Sequence, residues 1–423
     1  MDLLADLEFR GQLYQQTDPE GLRQHLSTPR KVYAGFDPTK DSLTIGNLVQ
    51  ILLLRRFQQA GHTPVVVMGG GTGMIGDPSG KEAERQILTP EQVNANVAGQ
   101  RKSFERLLSF DGPNAAQLVN NHDWLGKLGF IEALRDIGKH FSVNMMIQKD
   151  SVRERLQNRD QGISYTEFSY MLLQAYDFSY LLQHHGVTVQ AAGSDQWGNI
   201  VAGVDLIRRT QQRVAFGLTT PLVTKADGGK FGKTESGAIW LAAERTSPYA
   251  FYQFWINAAD ADVPKFLRTF TFLSHEEILR LEAEHAQNPG ARVAHKALAQ
   301  HMTELLHGAE GLTQAQQATE ALFSGNVAEL SQSSITDLFG SAPTAALSKE
   351  KLGGGGYPAA DLLVDAGVVK SKREAREFLG NGAILMNGRT PGAEERIEAA
   401  WLLHGEVLLI RRGKKLWHVA RFT

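Results

Sequence analysis

The chain has 423 residues and a mass of 46.5 kDa, which is too long for one ordinary hydrophobic core and predicts roughly two to three domains. Hydrophobic residues at 42% and charged residues at 21% exclude collagenous, disordered and membrane-embedded classes. A formal net charge of −2 indicates no overall attraction to nucleic acid, and the absence of cysteine excludes disulfides, thiol nucleophiles and cysteine-bound zinc.

The N-terminal residues carry no targeting pattern. Residues 1–16 mix acidic residues with leucines, unlike a basic and then apolar signal peptide. No apolar run in the chain reaches the roughly 18 residues that a membrane span needs. We therefore expect a cytoplasmic protein without membrane contact, which agrees with the absence of cysteine.

Strand-like and helix-like patterns alternate in the first half of the chain. Lys31–Phe36 is typical of a strand, Leu48–Ala60 of a helix with one apolar side, and Pro64–Met68 of a buried strand. This order is a βαβ unit, which builds a parallel sheet that binds ligands at the carboxyl ends of its strands. Residues 1–246 are therefore predicted to form a doubly wound, Rossmann-like α/β catalytic domain.

Three further segments follow the α/β domain. Residues 247–330 have apolar residues at three- and four-residue spacing and predict a helical domain. Residues 331–356 are rich in Ser, Thr, Ala and Gly and predict a flexible linker. Residues 357–423 predict a small α+β module, in which Asn387-Gly388 indicates a hairpin turn. This module has eleven Lys and Arg against eight Asp and Glu, a net charge of +3.

Two glycine-rich matches are misleading. Gly71–Gly76 has the GxGxxG pattern of dinucleotide-binding proteins, but Pro78 follows where the phosphate-binding helix should begin. Gly80-Lys81 resembles the end of a phosphate loop, but Glu82 replaces the Ser or Thr that such loops require. The histidines, including those within His275–His285, lack the HExxH spacing, and we assign no metal ligands.

The loop between the first strand and the first helix has the composition of a phosphate site. It contains Gly35–Thr39 and Ser42–Leu48, and helix N-termini present unpaired N–H groups and partial positive charge. The simpler alternative is an ordinary helix cap with Asn47 as the cap residue. A second segment, Lys225–Thr234, has three lysines in a glycine-rich loop and could also contact an anion.

These motifs resemble the two signatures of class I aminoacyl-tRNA synthetases, HIGH and KMSKS. Here they are TIGN (44–47) and KFGKT (230–234). The version KFGKT is similar to that of bacterial tyrosyl-tRNA synthetases, as are GFDPT (35–39), YTEFSYMLLQAYD (165–177) and GSDQWG (193–198). The resemblance runs through nearly the whole chain.

A polar stripe indicates the amino-acid site. Tyr170, Gln174 and Asp177 lie at i, i+4 and i+7, on one face of a helix, although a solvent-facing stripe has the same spacing. The resemblance implies that Tyr33 and Asp177 hold the phenol hydroxyl of tyrosine. It also implies the other tyrosine contacts: the ammonium group at Asp77, Tyr170 and Gln174, the carboxyl region at Gln196, and Asn121 nearby.

The resemblance also implies the ATP site and the reaction. Tyrosine would be activated with ATP, which brings Mg²⁺, and then transferred to the 3′-terminal adenosine of tRNA(Tyr), with no tightly bound cofactor. ATP-binding positions would be Asp37, Gly46, Gly193, Asp195 and Lys233. Negative charge in the transition state would be stabilised by Thr39, Thr44, Asn47, Lys81, Arg85, Lys230, Lys233 and Thr234.

The C-terminal module resembles an S4-type RNA-binding domain, and the resemblance also implies a homodimer. Its candidate phosphate contacts are Lys370, Lys372, Arg373, Arg376, Arg411 and Arg412, followed by Lys414 and Lys415. The same residues could instead form a solvated charged face.

Two other functions fit parts of the sequence. One is a related enzyme that activates tryptophan, which Tyr33 and Asp177 disfavour because they suit a phenol. The other is a catalytically degenerate paralogue that acts as an RNA-binding protein, since Thr44 and Asn47 replace both histidines of HIGH. Four basic residues favour an active enzyme, because an inactive copy would have little reason to keep them: Lys81, Arg85, Lys230 and Lys233.

Overall fold

The computed structural model of the chain describes residues 2–79, 88–149, 152–153, 156, 162–229, 231–234, 237–324, 327, 330–340, 342–413 and 416–423, with backbone alone at 233–234, 322–324, 333 and 337. The chain folds into two compact units. The first unit comprises Met1–Arg245 and Ala258–Leu298, and the second comprises Thr246–Asn257 and Ala299–Thr423.

The elements of the described residues are as follows. The α-helices are α1 (Leu3–Phe9), α2 (Pro19–His25), α3 (Ile45–Gln59), α4 (Pro90–Leu107), α5 (His122–Leu125), α6 (Phe130–Glu132), α7 (Val143–Ile147), α8 (Tyr165–His185), α9 (Trp197–Gln211), α10 (Pro248–Ile256), α11 (Val263–Phe270), α12 (His275–Gln287), α13 (Val293–Ser324), α14 (Gln332–Phe339), α15 (Ala359–Asp365) and α16 (Lys372–Gly380). The strands are β1 (Gln15–Gln16), β2 (Lys31–Phe36), β3 (Thr63–Met68), β4 (Gln117–Asn120), β5 (Val187–Gly193), β6 (Phe216–Thr220), β7 (Lys233–Thr234), β8 (Gly237–Ala238), β9 (Thr344–Leu347), β10 (Tyr357–Pro358), β11 (Ile384–Met386), β12 (Arg396–Ile397), β13 (Val407–Arg412) and β14 (Leu416–Phe422).

A six-stranded sheet is the centre of the first unit. Its strand order is β1-β6-β5-β2-β3-β4, and all neighbours are parallel except β1 and β6. The chain builds from β2 towards β4 on one side and then returns to add β5 and β6 on the other. The order therefore reverses between β2 and β5, where open α/β sheets bind ligands. The predicted doubly wound fold is confirmed.

Helix α8 covers part of this sheet and carries the predicted polar stripe. Ser164 caps its N-terminus by accepting a hydrogen bond from the Glu167 amide at 3.2 Å, and Gly186 ends it in the left-handed conformation with φ 69°. Phe178 packs beside Tyr33 and the valines of β3 in one buried cluster. Packing on the sheet thus fixes the rotation of the helix about its axis.

The second unit contains a four-stranded sheet of order β11-β13-β14-β9, in which only the β14–β9 pair is parallel. One side of the sheet packs on α15 and α16 through Leu362, Leu408 and Phe422, among others. The predicted turn at Asn387-Gly388 is present: both residues have positive φ, and Met386 and Arg389 exchange backbone hydrogen bonds of 2.8 and 2.9 Å.

Two predicted segments differ from the structure. Residues 331–356, predicted to be a flexible linker, contain α14 and β9, because the apolar side chains of Ile335, Phe339 and Leu347 enter buried clusters. The predicted helical domain 247–330 is helical but divided, since residues 258–298 belong to the first unit. Short-range periodicity cannot show which neighbour a helix packs against.

Candidate active site

A cavity of 490 Å³ lies in the first unit at the carboxyl ends of β2, β3 and β5. It brings together residues that are more than 150 positions apart in the chain. The predicted site residues that line it are Tyr33, Asp37, Thr39, Thr44, Gly46, Asn47, Asp77, Asn121, Tyr170, Gln174, Asp177, Gly193, Asp195 and Gln196.

Asp177 lies buried in the cavity wall and accepts two hydrogen bonds. Asn121 Nδ2 donates to its Oδ2 at 2.9 Å, and Trp124 Nε1 donates to its Oδ1 at 2.7 Å. Burial raises the pKa of the Asp177 carboxyl to about 7, although both hydrogen bonds act in the opposite direction. Asp177 is 4% exposed, and Tyr170 of the same polar stripe is 6% exposed. The alternative that this stripe faces solvent is therefore wrong.

The hydroxyl of Tyr33 is buried and has no hydrogen-bond partner among the residues that the structure describes. The side chain is 2% exposed, and its ring lies 5.2 Å from that of Phe178. Burial, followed by the charge of Asp177, raises the pKa of the Tyr33 phenol well above its ordinary value, so the hydroxyl keeps its proton. A buried hydroxyl without a partner favours a ligand that completes its hydrogen bonding.

A second group of hydrogen bonds surrounds Asp37. Tyr170 donates its hydroxyl to Asp37 Oδ2 at 3.1 Å, and Thr72 donates to Asp37 Oδ1 at 2.8 Å. Thr72 Oγ1 in turn accepts from Asn121 Nδ2 at 3.0 Å. The ends of strands β2, β3 and β4 and helix α8 are therefore joined by a connected set of side chains.

Asp77 carries a second buried carboxyl of the cavity. Its oxygens accept from the Ser79 amide at 2.9 Å and from Gln196 Nε2 at 2.7 Å. Asn199 Nδ2 links this pair to α8 by donating to Gln196 Oε1 at 3.0 Å and Gln174 Oε1 at 3.1 Å. Burial, followed by the charge of Asp37, raises the pKa of Asp77 to about 6.

The N-terminus of α3 borders the other side of the cavity. An ordinary helix cap is present, but Thr44, not Asn47 as predicted, is the N-cap residue, and Asn47 completes a capping box with it from the third helical position. Asn47 Oδ1 accepts from the Thr44 amide and from Thr44 Oγ1, each at 3.0 Å. Asn47 therefore directs its oxygen towards the cap, which leaves its Nδ2 group as the donor that can face a ligand.

The KFGKT segment lies against this helix N-terminus. The Ile239 amide donates to Gly232 O at 3.1 Å, and the Ile45 amide donates to Ile239 O at 2.9 Å. Gly232 has φ 78°, and a Cβ on it would lie 2.5 Å from Ile45 Cγ2. Phe231 stacks on Phe270 with ring centroids 5.1 Å apart. The two signature segments are therefore adjacent.

Some predicted catalytic residues cannot be placed. Lys81, Arg85 and Lys230 lie outside the described residues, as do Lys414 and Lys415. Lys233 and Thr234 form β7, paired with β8, but their side chains are not described.

The predicted phosphate contacts of the second unit fall on two elements. Lys370, Lys372, Arg373 and Arg376 are exposed, the last three on α16. Lys372 pairs with Asp361 at 2.9 Å. Arg411 and Arg412 are half-buried on β13, where Arg412 Nη1 donates to Val368 O at 2.8 Å.

Thr72, Trp124 and Gln190 are among the residues of the site that were not predicted from the sequence. Thr72 and Trp124 donate hydrogen bonds to the carboxylates described above. Gln190 lines the cavity and is 2% exposed, and its Oε1 has no hydrogen-bond partner in the described part of the chain. The sequence could have indicated Gln190, because a glutamine is unusual within an otherwise apolar, buried strand such as β5. Thr72 lies inside the glycine-rich segment that was considered for a different fold.

One cluster outside the cavity has the composition of a metal site. Asp260, His285 and His295 bring their ligand atoms within 4.8 Å of one another. However, Nε2 of His285 lies 2.9 Å from Asp260 O, and Nε2 of His295 lies 3.1 Å from Ala258 O. Both nitrogens therefore act as hydrogen-bond donors to the loop, and we assign no ion here.

Comparison with protein families gives two matches. Residues 25–324 match the model of the tRNA synthetases class I (W and Y), and residues 334–420 match the tyrosine–tRNA ligase SYY-like C-terminal domain. The second match begins within the segment that was predicted to be a linker.

Individual relatives agree with the family matches. The chain is 53% identical to tyrosine–tRNA ligases of Bacillus caldotenax and Geobacillus kaustophilus, with 100% of each chain covered. Among solved structures, a C-terminally truncated mitochondrial tyrosyl-tRNA synthetase of Aspergillus nidulans matches with TM-score 0.68 and 30% identity, covering 76% of this chain and 94% of that one. A tryptophanyl-tRNA synthetase of Encephalitozoon cuniculi shares the fold at TM-score 0.55 and 14% identity, covering 74% of this chain and 87% of that one.

Proposed function

The chain belongs to the class I tRNA synthetases, and among them to the tyrosine–tRNA ligases; from that premise we propose how its residues bind tyrosine and ATP. The enzyme activates tyrosine with ATP to tyrosyl-adenylate and pyrophosphate. It then transfers the tyrosyl group to the 3′-terminal adenosine of tRNA(Tyr) and releases AMP. The alternative of a degenerate RNA-binding paralogue is not supported.

The observation that carries our assignment of the tyrosine pocket is the unpartnered Tyr33 hydroxyl beside the buried Asp177 carboxyl. We propose that the phenol hydroxyl of the substrate donates to Asp177 and accepts from Tyr33. Asn121 and Trp124 hold Asp177 in place through its other lone pairs. Phenylalanine would leave these buried groups without a ligand partner, which costs about 1–3 kcal/mol for each group.

The opposite end of the pocket suits the amino-acid backbone. We propose that the ammonium group of tyrosine binds Asp77, Tyr170 and Gln174, and that Gln196 orients the carboxylate. The hydrogen bond from Gln196 to Asp77, at 2.7 Å, brings these contacts close together. A positive ammonium group also compensates the ionised Asp77, which otherwise lies in a buried and repulsive environment.

ATP is assigned to the side of the cavity formed by α3 and the end of β5. We propose that Asp195 binds a ribose hydroxyl and that Asp37, Gly46 and Gly193 contact the nucleoside. A Cβ on Gly193 would lie 2.6 Å from Asp195 Oδ1, so glycine allows the Asp195 carboxylate to lie close to the end of β5. Mg²⁺ enters bound to the phosphates of ATP as part of the substrate.

The chemical step requires positioning and charge stabilisation. The tyrosine carboxylate attacks the α-phosphorus, and no general base is needed because the carboxylate is already ionised. We propose that the phosphate charge is stabilised by these groups: Thr39, Thr44 and Asn47 at the helix N-terminus, and Lys81, Arg85, Lys230, Lys233 and Thr234 from two further segments of the chain.

The second unit is proposed to bind tRNA through Lys370, Lys372, Arg373, Arg376, Arg411 and Arg412. Four of the six are exposed, three of them on one short helix, where they are able to reach phosphates. Residues 357–423 have a net charge of +3, whereas the whole chain has a net charge of −2. Phosphate should therefore be attracted to this module more than to the rest of the chain.

We also propose a cytoplasmic homodimer. The segment Phe130–Ile147 exposes several large apolar side chains, among them Phe130 at 67%, Ile131 at 72% and Met145 at 58%. Such a cluster is typical of a protein interface. No helix among the described residues has the length and apolar content to cross a membrane.

ATP–pyrophosphate exchange without tRNA tests the proposed pocket. Purified protein is assayed separately with tyrosine, phenylalanine and tryptophan in the presence of magnesium. We expect exchange with tyrosine alone, and Asp177→Ala should weaken tyrosine binding far more than ATP binding. An unchanged tyrosine affinity in this variant would remove Asp177 from the pocket.

A further inference from the structure

Lys40 lies in the loop between β2 and α3 and lines the cavity on the side assigned to ATP. Helix α4 holds the backbone of this loop in place. Asn96 Nδ2 donates to Pro38 O at 2.8 Å, and Gln100 Nε2 donates to Lys40 O at 2.9 Å. The main chain is therefore anchored, whereas the side chain of Lys40 is exposed at the edge of the cavity.

The neighbouring acidic residue does not neutralise Lys40. Asp41 pairs with Arg245 at 2.5 Å, so its carboxylate is engaged by another cation. Within the part of the chain that the structure describes, the ammonium group of Lys40 has no hydrogen bond or ion pair. An exposed lysine of this kind is available to an anionic ligand.

The cavity is lined by negatively charged side chains, so an anionic ligand such as ATP requires a nearby cation to bind. Four carboxyl groups line it, those of Asp37, Asp77, Asp177 and Asp195. Among the described lining residues, Lys40 is the one cationic side chain. The triphosphate of ATP would be repelled by these carboxylates unless positive charge lies beside it.

The helix N-terminus provides no side-chain charge for this purpose. Thr44 and Asn47 are neutral, and the Thr44 hydroxyl already donates to Asn47 Oδ1 at 3.0 Å. The donors that remain are the backbone N–H groups and the Asn47 amide, which are weaker partners for phosphate than an ammonium group. A histidine in place of either residue could carry charge, but this chain has none there.

We propose that Lys40 is a further catalytic residue of tyrosine activation, which contacts the β- and γ-phosphates of ATP and adds the positive charge that the neutral TIGN segment lacks. This inference rests on the proposed ATP site. As the tyrosine carboxylate oxygen bonds to the α-phosphorus, the bond from that phosphorus to the bridging oxygen breaks. The electron pair stays on the departing pyrophosphate, and Lys40 stabilises that charge without giving up its proton.

The test compares Lys40→Ala with Lys40→Arg in the full-length enzyme. Single-turnover formation of tyrosyl-adenylate is measured as a function of ATP, together with the Kd of tyrosine and the rate of transfer from preformed adenylate to tRNA. Loss of one charged hydrogen bond predicts a roughly 10- to 100-fold lower second-order rate constant for ATP in Lys40→Ala. Lys40→Arg should recover most of that loss, while tyrosine affinity and the transfer rate stay within about twofold.

Lys102→Ala is the matched control, because it removes one positive charge from an exposed position of α4 outside the cavity.

A second test uses Thr44→His. If a histidine at this position supplies the missing donor, Lys40→Ala should lower the rate of adenylate formation less in the Thr44→His protein than in the wild-type protein. The inference is overturned if Lys40→Ala behaves like Lys102→Ala, or if it weakens tyrosine binding equally. Failure of the wild-type enzyme to form adenylate would contradict the proposed function itself.

Discussion

Within the described ranges of the chain, the buried Tyr33 hydroxyl lacks a hydrogen-bond partner, whereas the carboxyl of Asp177 accepts two hydrogen bonds in the same cavity wall. A buried hydroxyl without a hydrogen bond lowers the stability of the unliganded protein, but it can form that hydrogen bond with a ligand. Selectivity at the residue scale therefore depends on polar groups whose partners arrive with the substrate.

Tyr33→Phe should separate these two effects. Removal of an unpartnered hydroxyl should leave the free energy of unfolding unchanged or raise it by about 1 kcal/mol, because no native hydrogen bond is lost. The same change should weaken tyrosine binding by roughly 2- to 10-fold. Urea unfolding and equilibrium dialysis measure the two quantities. A stability loss of more than about 1 kcal/mol would show that the hydroxyl has a structural role.

Tyrosine affinity should depend on pH through Asp77. Its pKa is raised to about 6 in the free protein, and we propose that its ionised form binds the substrate ammonium. As pH falls below about 6, a proton competes with tyrosine, so Kd should increase by up to about tenfold per pH unit. At pH values well above this pKa, Asp77 is ionised and its contribution should be constant.

Equilibrium dialysis between about pH 5 and pH 8 measures this dependence. Asp77→Asn is the control: it should bind tyrosine more weakly at the alkaline end and lose the part of the pH dependence that belongs to Asp77. Asp177, whose pKa is raised to about 7, should also contribute to the pH dependence in both proteins. The same slope in both proteins would exclude Asp77 as the titrating group.

At the scale of elements, the packing of the KFGKT segment against the N-terminus of α3 joins the two signature motifs. The contact is close because Gly232 has no side chain and adopts φ 78° beside Ile45. A small displacement of Gly232 would shift the backbone of the next two residues of the segment, Lys233 and Thr234, which are proposed to stabilise the phosphate charge.

Gly232→Ala should therefore slow adenylate formation by about 10- to 100-fold, since small misplacements of catalytic groups have effects of this size. Tyrosine affinity should not change, because Asp177 and Tyr33 lie on other elements. Gly228→Ala is a matched control: Gly228 also has φ 78°, but a Cβ there meets no atom within 4 Å. Equal rates in the two variants, measured in single turnovers, would contradict the packing argument.

At the scale of the whole molecule, the proposed catalytic residues fall in the first unit and the proposed RNA contacts in the second. Adenylate formation and tRNA charging should therefore be separable by truncation. The position of the cut matters, because β9 pairs with β14 and Leu347 belongs to a buried cluster of the second unit.

Chains that end after Leu330 or after Gly356 should both catalyse ATP–pyrophosphate exchange with tyrosine and should both lose tRNA charging. The longer one keeps β9 without its partner strand and should aggregate more, because an unpaired edge with exposed apolar residues associates readily. Exchange assays, charging assays and light scattering measure these outcomes. Full charging by either chain would show that the C-terminal module is dispensable.

The sequence by itself determined the α/β class, the hairpin turn at Asn387-Gly388 and the family resemblance. These depend on local patterns: the period of apolar residues, the conformational preferences of Asn and Gly, and contiguous motifs such as YTEFSYMLLQAYD. The site residues predicted from those motifs stay proposals until their variants are measured, although fourteen of them line one cavity.

Tertiary structure decided the rest, because it depends on contacts between distant parts of the chain. Trp124 binds the carboxylate of Asp177, 53 positions away in the chain, and Thr72 binds that of Asp37, 35 positions away. The ends of neighbouring strands bring these residues together. Residues 331–356 resemble a linker in composition, yet pairing with β14 and burial of Leu347 order part of that segment. Lys40 is an ordinary surface lysine in the sequence, and only the cavity beside it, lined by four carboxylates, distinguishes it from the others.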